Sequence, residues 1–359
     1  MILFNLGKRE QLNANLIYMQ GAPNVLSSRR SSNDSTVVRS QANRTNMKHK
    51  TTGQLREILD TALNWDFEIF RLEDLTRGRP LTHLGLTLMG GRFDVCSTLE
   101  CDERTLLHWL TVIETNYHAV NTYHNSTHAA DVLQLKYCIF NRIYVTDDDR
   151  VNIFKNLDRD TYKSVRHNVI DMILATEMTK HFEHLAKFVN VFYAKSSGSR
   201  EDDMQSDEPL SLDTTALTSP ENVSLVKRMM IKCADVSNAS RPQKFAFEWA
   251  RRIAEEYFLQ TDEEKAKDLP VVMPMFDRAT CSIPRSQIGF IDYIIIDMME
   301  AWAAFIEMPE LVTHARNNHQ RWRELDEAGV TTTADVIRAQ RQNAIQAPAN
   351  TTSEPTAEE

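Results

Sequence analysis

The sequence predicts an all-α protein built as a compact multi-helix domain. Apolar residues recur at helical spacing through most of the chain. No stretch shows the period-two alternation of apolar and polar residues that marks a half-buried strand. Glycine is also scarce, with 10 residues in a chain of 359, which favours helices over strands and tight turns.

The first clear helix is predicted in the segment "CDERTLLHWLTVIETNY". Its apolar residues Leu106, Trp109, Leu110 and Ile113 fall on one stripe, as expected for a helix that faces a core. Asp102 precedes this stripe and is predicted to cap the N-terminus of the helix.

Three further helices are predicted in the second half of the chain. "SPENVSLVKRMMIKCADVSN" begins with Ser219 as N-cap and Pro220 at the first helical position. "RPQKFAFEWARRIAEEYFLQ" and "IPRSQIGFIDYIIIDMMEAWAAFIEM" follow it, separated by a loop with prolines. The last segment contains Asp292, Asp297 and Glu300, so it is predicted to be a buried core helix and not a membrane span.

Polar segments divide the chain into three regions. Residues 1–53 are expected to be mostly disordered, residues 54–335 to form one domain with an acidic surface loop at 194–215, and residues 336–359 to form a disordered acidic tail. In the first region Ser32 follows two arginines, which resembles the target of a basophilic kinase. A solvated polar segment also explains the same residues.

Composition argues against several classes of partner. The formal net charge of −9 disfavours binding to nucleic acid or to an anionic membrane. The five cysteines contain no CxxC pair and suggest reduced thiols instead of a disulfide framework. The apolar start "MILF" is interrupted at once by "NLGKRE", which does not fit a signal peptide. We therefore expect a cytoplasmic location.

The segment "NTYHNSTHAADVLQ" contains a candidate metal or acid–base site. On a helix, His124, His128 and Asp131 would share one face, although two histidines on a solvated face are the simpler interpretation. Asp235 lies in the apolar run "MMIKCADVSN", where a buried carboxylate needs a counter-charge or a cation. A salt bridge to an Arg or Lys, or a cap on its own helix, would also satisfy Asp235.

The segment "SQIGFID" contains a candidate ligand-binding face. Gln287, Phe290, Ile291 and Ile294 have the spacing of one helix face. An amide beside an aromatic ring suits a flat heteroaromatic ligand, with the ring stacked and the amide bonded to the edge of the base. The alternative is a core stripe with a satisfied glutamine.

Together these segments carry a family resemblance. From about residue 55 to 330 the order of "YHNSTHAADV", "VIDMILATEMTKHFEH", "IKCADVSN", "TDEEK" and "LPVVMPMFDRATCSIPRSQIGFIDY" resembles the class I cyclic nucleotide phosphodiesterases, and within them the high-affinity cAMP-specific type-8 subfamily. The resemblance implies an all-α catalytic domain of the HD-domain superfamily that hydrolyses cAMP to 5′-AMP. It also implies two divalent cations, Zn²⁺ with Mg²⁺ or Mn²⁺. The preference for cAMP rests on this resemblance alone.

The same resemblance suggests residue roles around the phosphate. His124 resembles the general acid that protonates the leaving 3′ oxygen, and Tyr123 would lie beside it in the pocket wall. His128 and Asp235 resemble two ligands of the tighter, zinc-like metal.

Four further residues match the positions that hold the base in the family. Gln287 resembles the glutamine that hydrogen-bonds the purine, and Phe290 the aromatic residue on which the purine stacks. Ile253 resembles the opposite side of that clamp, and Asn238 a further contact to the adenine edge.

The chain departs from the family pattern after Gln134. The family has a His-Asp pair that binds and bridges the two metals, but none of the 11 histidines here is followed by Asp. The sequence runs "LKYCIFNRIYV" instead, so we expect an internal deletion near 135–147 that removes several helices and leaves apolar faces exposed. Asp147, Asp148 and Asp149 are alternative ligands, although a solvated acidic turn explains them more simply.

Two functional hypotheses follow from this departure. The chain is predicted to be a phosphodiesterase by family whose own turnover is impaired, because a catalytic zinc site needs about three protein ligands. The alternative is a catalytically dead nucleotide-binding or regulatory isoform.

Overall fold

The computed structural model describes residues 53–135, 152–193 and 219–346. Within these ranges the regular structure is helical and no strand occurs, which confirms the predicted all-α class. Several predictions fall outside the described residues: the kinase site at Ser32, the aspartates Asp147, Asp148 and Asp149, and the acidic loop at 194–215.

Residues 53–60 are helical, and the named helices follow them along the chain. The α-helices are α1 (Ile69–Thr76), α2 (Pro80–Gly85), α3 (Val95–Thr98), α4 (Glu103–Thr115), α5 (Ser126–Leu135), α6 (Arg159–Ala175), α7 (His181–Phe192), α8 (Pro220–Asp235), α9 (Gln243–Ala266), α10 (Ile283–Phe290), α11 (Ile296–Ile306), α12 (Glu310–Glu327) and α13 (Thr333–Gln346). Leu86–Arg92 and Ile291–Ile295 form π-helices, and Met178–Lys180, Ser237–Ser240 and Pro274–Phe276 form 3₁₀ turns. No helix among the described residues is both long and apolar enough to cross a membrane.

Two helix starts occur where the sequence placed them. The Asp102 carboxylate accepts a hydrogen bond of 2.6 Å from the Thr105 N–H at the start of α4. At α8 the Ser219 hydroxyl accepts a bond of 3.4 Å from the Asn222 N–H, and Pro220 is the first helical residue. Both predicted N-caps are therefore confirmed, since each satisfies a backbone donor that has no partner inside its helix.

The chain divides into two compact units: Met1–Thr115 with Ala130–Lys232, and Asn116–Ala129 with Cys233–Glu359. In the first unit the predicted apolar stripe of α4 is buried, from Leu106 to Ile113.

The buried carboxylate of Glu114 accepts a bond of 2.8 Å from the N–H of Leu81, at the N-terminus of α2. The favourable end of the α2 dipole therefore lies beside this negative charge.

The first unit also exposes a series of large apolar side chains. They recur every four residues from the end of α6 to the start of α7: Ile170, Leu174, Met178 and Phe182, with exposed fractions between 39% and 61%. Large apolar side chains in this state favour contacts with other molecules.

The second unit is organised around the long helix α9. This helix packs against the 3₁₀ turn Ser237–Ser240 and against α10 and α12. Phe247 of α9 stacks on Trp322 of α12, with ring centroids 3.8 Å apart. The buried side-chain amide of Asn318 donates to the carbonyl oxygen atoms of Ala239 and Arg241, at 2.9 and 2.8 Å. These contacts fix the 3₁₀ turn, which carries Asn238, against α12.

The predicted core helix near residue 290 is interrupted by a π-helix. Gln287, Ile291 and Ile295 are all buried, whereas Ile294 is only partly buried. A π-helix has more residues per turn than an α-helix, so the inward face continues through Ile295. The predicted face that included Ile294 is therefore corrected.

The C-terminal helix extends beyond the predicted start of the tail at residue 336. α13 continues to Gln346, and Val336 within it is 2% exposed. The Thr332 hydroxyl accepts a bond of 3.2 Å from the Asp335 N–H at the start of this helix. A capped start and one buried apolar side chain explain why a largely polar sequence remains helical here.

Candidate functional site

The histidine segment enters helix α5 through an asparagine cap. The Asn125 side-chain oxygen accepts bonds from the N–H groups of Thr127 and His128, at 2.9 and 3.2 Å. Helix α5 consequently begins at Ser126, and His124 lies before it. The prediction that His124 and His128 share one helix face is therefore wrong. Asn125 caps the N-terminus of the helix, so His128 lies inside the helix and His124 lies before it.

The turn nevertheless brings the two histidine rings together. The ring centroids of His124 and His128 are 5.8 Å apart. Tyr123 packs on the His128 ring at 4.5 Å, and Trp249 of α9 approaches both Tyr123 and His128, at 5.3 and 5.8 Å. The aromatic neighbours restrict the orientation of His128, which is 7% exposed.

Glu256 of α9 holds His124 in place. Its Oε1 lies 2.6 Å from His124 Nδ1, and its Oε2 accepts the N–H groups of Tyr123 and His124 at 2.7 and 2.9 Å. Since Nδ1 is used in this pair, Nε2 of His124 remains for a ligand. The His124 side chain is 40% exposed, so a ligand has access to it.

Two pKa shifts reflect the charge that this carboxylate brings into the site. Burial raises the pKa of Glu256, but the hydrogen bonds from His124 and from the backbone outweigh burial and bring the pKa below its ordinary value. Next to it, burial and then the charges of Glu256 and Asp235 raise the pKa of Tyr257. Glu256 is thus ionised and Tyr257 protonated at neutral pH.

His128 and Asp235 form the second pair of the site. His128 Nε2 lies 3.2 Å from Asp235 Oδ1. Asp235 is the last residue of α8 and its side chain is 27% exposed, so it is less buried than the apolar sequence around it suggested. An ion pair of Asp235 with an Arg or Lys was one of the alternatives that the sequence left open. In the structure Asp235 contacts His128 instead. Among the described residues no group of three or more His, Cys, Asp or Glu side chains is arranged to hold a metal.

The four residues assigned to base binding lie on neighbouring elements of the second unit. Asn238 lies in the 3₁₀ turn, Ile253 in α9, and Gln287 and Phe290 in α10. Because α9 packs on both the turn and α10, these elements adjoin one another.

One of these side chains, Asn238, has a buried polar atom without a partner among the described residues. Asn238 is 7% exposed, and within the described ranges its side-chain oxygen finds no hydrogen-bond donor. A buried polar atom without a partner is costly, so its presence favours a ligand or water at this position. Gln287 is likewise buried.

Sequence reasoning missed Glu256, although a signal was present. Trp249, Ile253 and Glu256 follow the spacing i, i+4 and i+7, so a carboxylate continues an otherwise apolar face of α9. The helix also contains Glu248 and Glu255, which form ion pairs with arginines. Sequence alone does not distinguish Glu256 from these.

Comparison with known proteins identifies the family. The profile of the 3′,5′-cyclic nucleotide phosphodiesterases matches residues 141–317, a range that contains Asp235 and Gln287 but not His124 or His128. A Drosophila melanogaster protein, the high affinity cAMP-specific and IBMX-insensitive 3′,5′-cyclic phosphodiesterase 8, is 46% identical over 384 residues, which cover 89% of this chain and 40% of the relative. The human phosphodiesterase 8A of the same description is 44% identical over 323 residues, covering 73% of this chain and 39% of the relative.

Two features of these alignments matter here. The chain spans about 40% of the length of these curated relatives. The alignment of 384 residues is also longer than the 359 residues of this chain, so the relative contains segments that this chain lacks.

A solved structure supports the fold. The structure of LmjPDEB1 in complex with IBMX superposes with a TM-score of 0.61 at 21% identity, covering 77% of this chain and 98% of that one. Together with the profile and the relatives, this agreement leads to one conclusion: the chain belongs to the class I 3′,5′-cyclic nucleotide phosphodiesterase family.

Proposed function

We propose that the reaction of this chain is the hydrolysis of cAMP to 5′-AMP, and that its own turnover is impaired. The observation that carries the proposal is the pairing of His124 with Glu256 directly beside the pairing of His128 with Asp235. A positioned imidazole next to ligand-type side chains suits hydrolysis of a phosphodiester. The printed descriptions of the fly and human relatives, both cAMP-specific, support cAMP as the substrate.

The chemistry requires a proton at the leaving oxygen. Hydrolysis forms a bond between a water oxygen and phosphorus and breaks the bond from phosphorus to O3′. We assign the proton donor at O3′ to Nε2 of His124, because Glu256 contacts its Nδ1 and leaves Nε2 for the substrate. Glu256 acts as a positioning residue in this proposal.

Recognition of the base is assigned to Asn238, Ile253, Gln287 and Phe290. The Gln287 amide suits the edge of a purine, and Phe290 its face. The unpaired oxygen of buried Asn238 suits the exocyclic amino group of adenine, which is a hydrogen-bond donor. Tyr123 packs against both site histidines and would form part of the pocket wall.

The described residues do not fit a complete metal centre. The family resemblance implies two divalent cations, Zn²⁺ with Mg²⁺ or Mn²⁺, but His128 and Asp235 supply two ligands where a catalytic zinc has about three from the protein. The His-Asp pair that supplies the bridging residue in the family resemblance is also absent from the sequence. We therefore propose impaired turnover and assign no step to a metal.

The experiment compares this chain with one in which the missing segment is restored. A chimera would carry, after Gln134, the intervening segment of the human relative. Conversion of cAMP to 5′-AMP would be followed by chromatography with added Zn²⁺, Mn²⁺ or Mg²⁺, and binding of cAMP by calorimetry. We expect this chain to bind cAMP, the chimera to hydrolyse it, and turnover to be at least about 100-fold slower in this chain.

Each outcome has a distinct meaning. Equal turnover in both proteins would show that the centre of this chain is complete. Binding of cAMP by this chain without any turnover would favour the regulatory alternative. Absence of both binding and turnover in the chimera would overturn the assignment of cAMP. The His124→Ala chimera is the matched control, since it retains His128 and Asp235.

A further inference from the structure

A tight turn in the first unit brings two cysteines together. α3 ends at Thr98, and the N–H of Cys101 reaches back across the turn to donate to the carbonyl oxygen of Cys96 at 3.0 Å. Glu100 closes the turn with a left-handed backbone at φ 50°. A backbone bond across five residues at a helix end places the first and last Cα atoms near each other.

The two thiols of this turn also influence each other: the Cys101 side chain acts to lower the pKa of Cys96, and the Cys96 side chain acts to raise the pKa of Cys101. Both are free cysteines, and both are partly exposed to solvent. Two partly exposed free thiols lie on a turn that a backbone bond already closes, and a disulfide requires its two Cα atoms to be within about 7 Å of each other.

Acidic side chains surround the pair and set its reactivity. Burial raises the pKa of Cys96, an effect that the Cys101 thiol partly offsets and that Glu103, Asp94 and Asp102 reinforce. Burial and the neighbouring Cys96 raise the pKa of Cys101 to about 11. Both thiols are therefore mainly protonated at neutral pH, so we expect thiol–disulfide exchange at this pair to become faster as the pH rises.

We propose that Cys96 and Cys101 form a reversible dithiol that small disulfide compounds oxidise to an intramolecular disulfide. The Cys96 thiolate attacks one sulfur of the compound, forms a mixed disulfide and releases the other half as a thiol. The Cys101 thiolate then attacks the Cys96 sulfur and releases the second half. The two protein thiols lose two electrons and two protons, and one disulfide compound becomes two thiols.

The surrounding charge predicts which compounds react. Asp94, Asp102 and Glu103 repel an anionic disulfide such as oxidised glutathione and attract a cationic one such as cystamine. We expect cystamine to oxidise the pair about ten-fold faster than oxidised glutathione at low ionic strength, and added salt to reduce this difference.

The test uses the full chain and a single peptide. Trypsin cleavage after Arg92 and Arg104 releases "FDVCSTLECDER", which contains both cysteines. The chain would be treated with cystamine, and remaining thiols would be alkylated with iodoacetamide. We expect the mass of this peptide to be lower than that of the reduced peptide by two hydrogen atoms, with neither cysteine alkylated. Cys96→Ser should instead leave Cys101 alkylated or as a mixed disulfide.

Folding must favour the bridge if the proposal is correct. The bridged fraction would be measured at a fixed ratio of cystamine to cysteamine, and it gives the equilibrium constant for forming the Cys96–Cys101 disulfide. We expect this constant to be about ten-fold higher in the folded chain than in the chain unfolded in urea. Equal constants would show that the turn contributes nothing. Separate mixed disulfides on both cysteines, with circular dichroism showing intact helices, would overturn the proposal.

Discussion

Glu256 Oε1 lies 2.6 Å from His124 Nδ1, while the second oxygen of the same carboxylate accepts two backbone N–H groups. A single side chain of α9 thus fixes both the imidazole and the turn that precedes α5. The pairing explains how His124 reaches His128 without sharing its helix.

Removal of this carboxylate should destabilise the second unit. Glu256→Ala deletes three acceptor contacts at a site where the Glu256 side chain is 19% exposed, so we expect the free energy of unfolding to fall by about 2 kcal/mol. Urea denaturation measures the change. Glu300→Ala is the control, because Glu300 is 43% exposed and its ion pair with Arg316 should contribute about 0.5 kcal/mol. Equal losses in the two variants would contradict a special role for Glu256.

The sequence predicted the all-α class and several helix starts, because local periodicity and capping residues carry that information, whereas the site residues were assigned from family motifs and stay predictions. Asp102 and Ser219 were identifiable as caps since a cap acts on its own helix. His124 was placed wrongly because Asn125, the fifth residue of the segment, caps the N-terminus of α5, so the helix begins only after His124. Glu256 was missed because its partners lie over a hundred positions away in the sequence, where no local pattern indicates contact.

Phe290 should contribute strongly to nucleotide binding if the proposed base site is correct. Loss of a stacked aromatic side chain costs about 1–3 kcal/mol, so Phe290→Ala should raise the Kd for cAMP about ten-fold or more. Calorimetry with cAMP measures this. Tyr293→Ala is the matched control, because Tyr293 lies in the adjoining π-helix and is 76% exposed. A similar Kd for wild type and Phe290→Ala would place the base elsewhere.

The Asn125 cap should be worth a measurable part of the stability. Asn125→Ala removes the acceptor for the N–H groups of Thr127 and His128, and we expect a loss of about 1 kcal/mol in the free energy of unfolding. Asn125→Asp retains a capping oxygen and should lose less. Equal destabilisation by the two substitutions would indicate that the side-chain donor of Asn125, which bonds the carbonyl of Asn121, matters more than the cap.

Because of the ion pair between Glu255 and Arg278, we expect the free energy of unfolding to depend on pH. The hydrogen bond from Arg278 holds the pKa of Glu255 below its ordinary value of 4.5. Ionised Glu255 therefore stabilises the fold above pH 4.5, and this contribution is lost as the pH falls through the folded-state pKa.

The expected result is a difference that disappears in acid. Glu255→Gln should unfold more easily than wild type at neutral pH, by up to about 1 kcal/mol because the pair is partly exposed. The difference should vanish once the pH lies below the folded-state pKa of Glu255. In an Arg278→Gln background the substitution should have little effect at any pH. A difference that persists in acid would exclude the ion pair as its cause.

The exposed apolar residues of the first unit should promote self-association. Leu174 and Phe182 are 57% and 61% exposed, and large apolar side chains in that state favour contacts between molecules. Light scattering after size exclusion gives the average molar mass, and we expect this mass to rise with the concentration of the wild-type chain. The double variant Leu174→Ser, Phe182→Ser should show a smaller rise. Tyr293→Ser removes a ring from the second unit that is 76% exposed, and this substitution should not reduce the rise. If the double variant associates as strongly as wild type, another surface drives association.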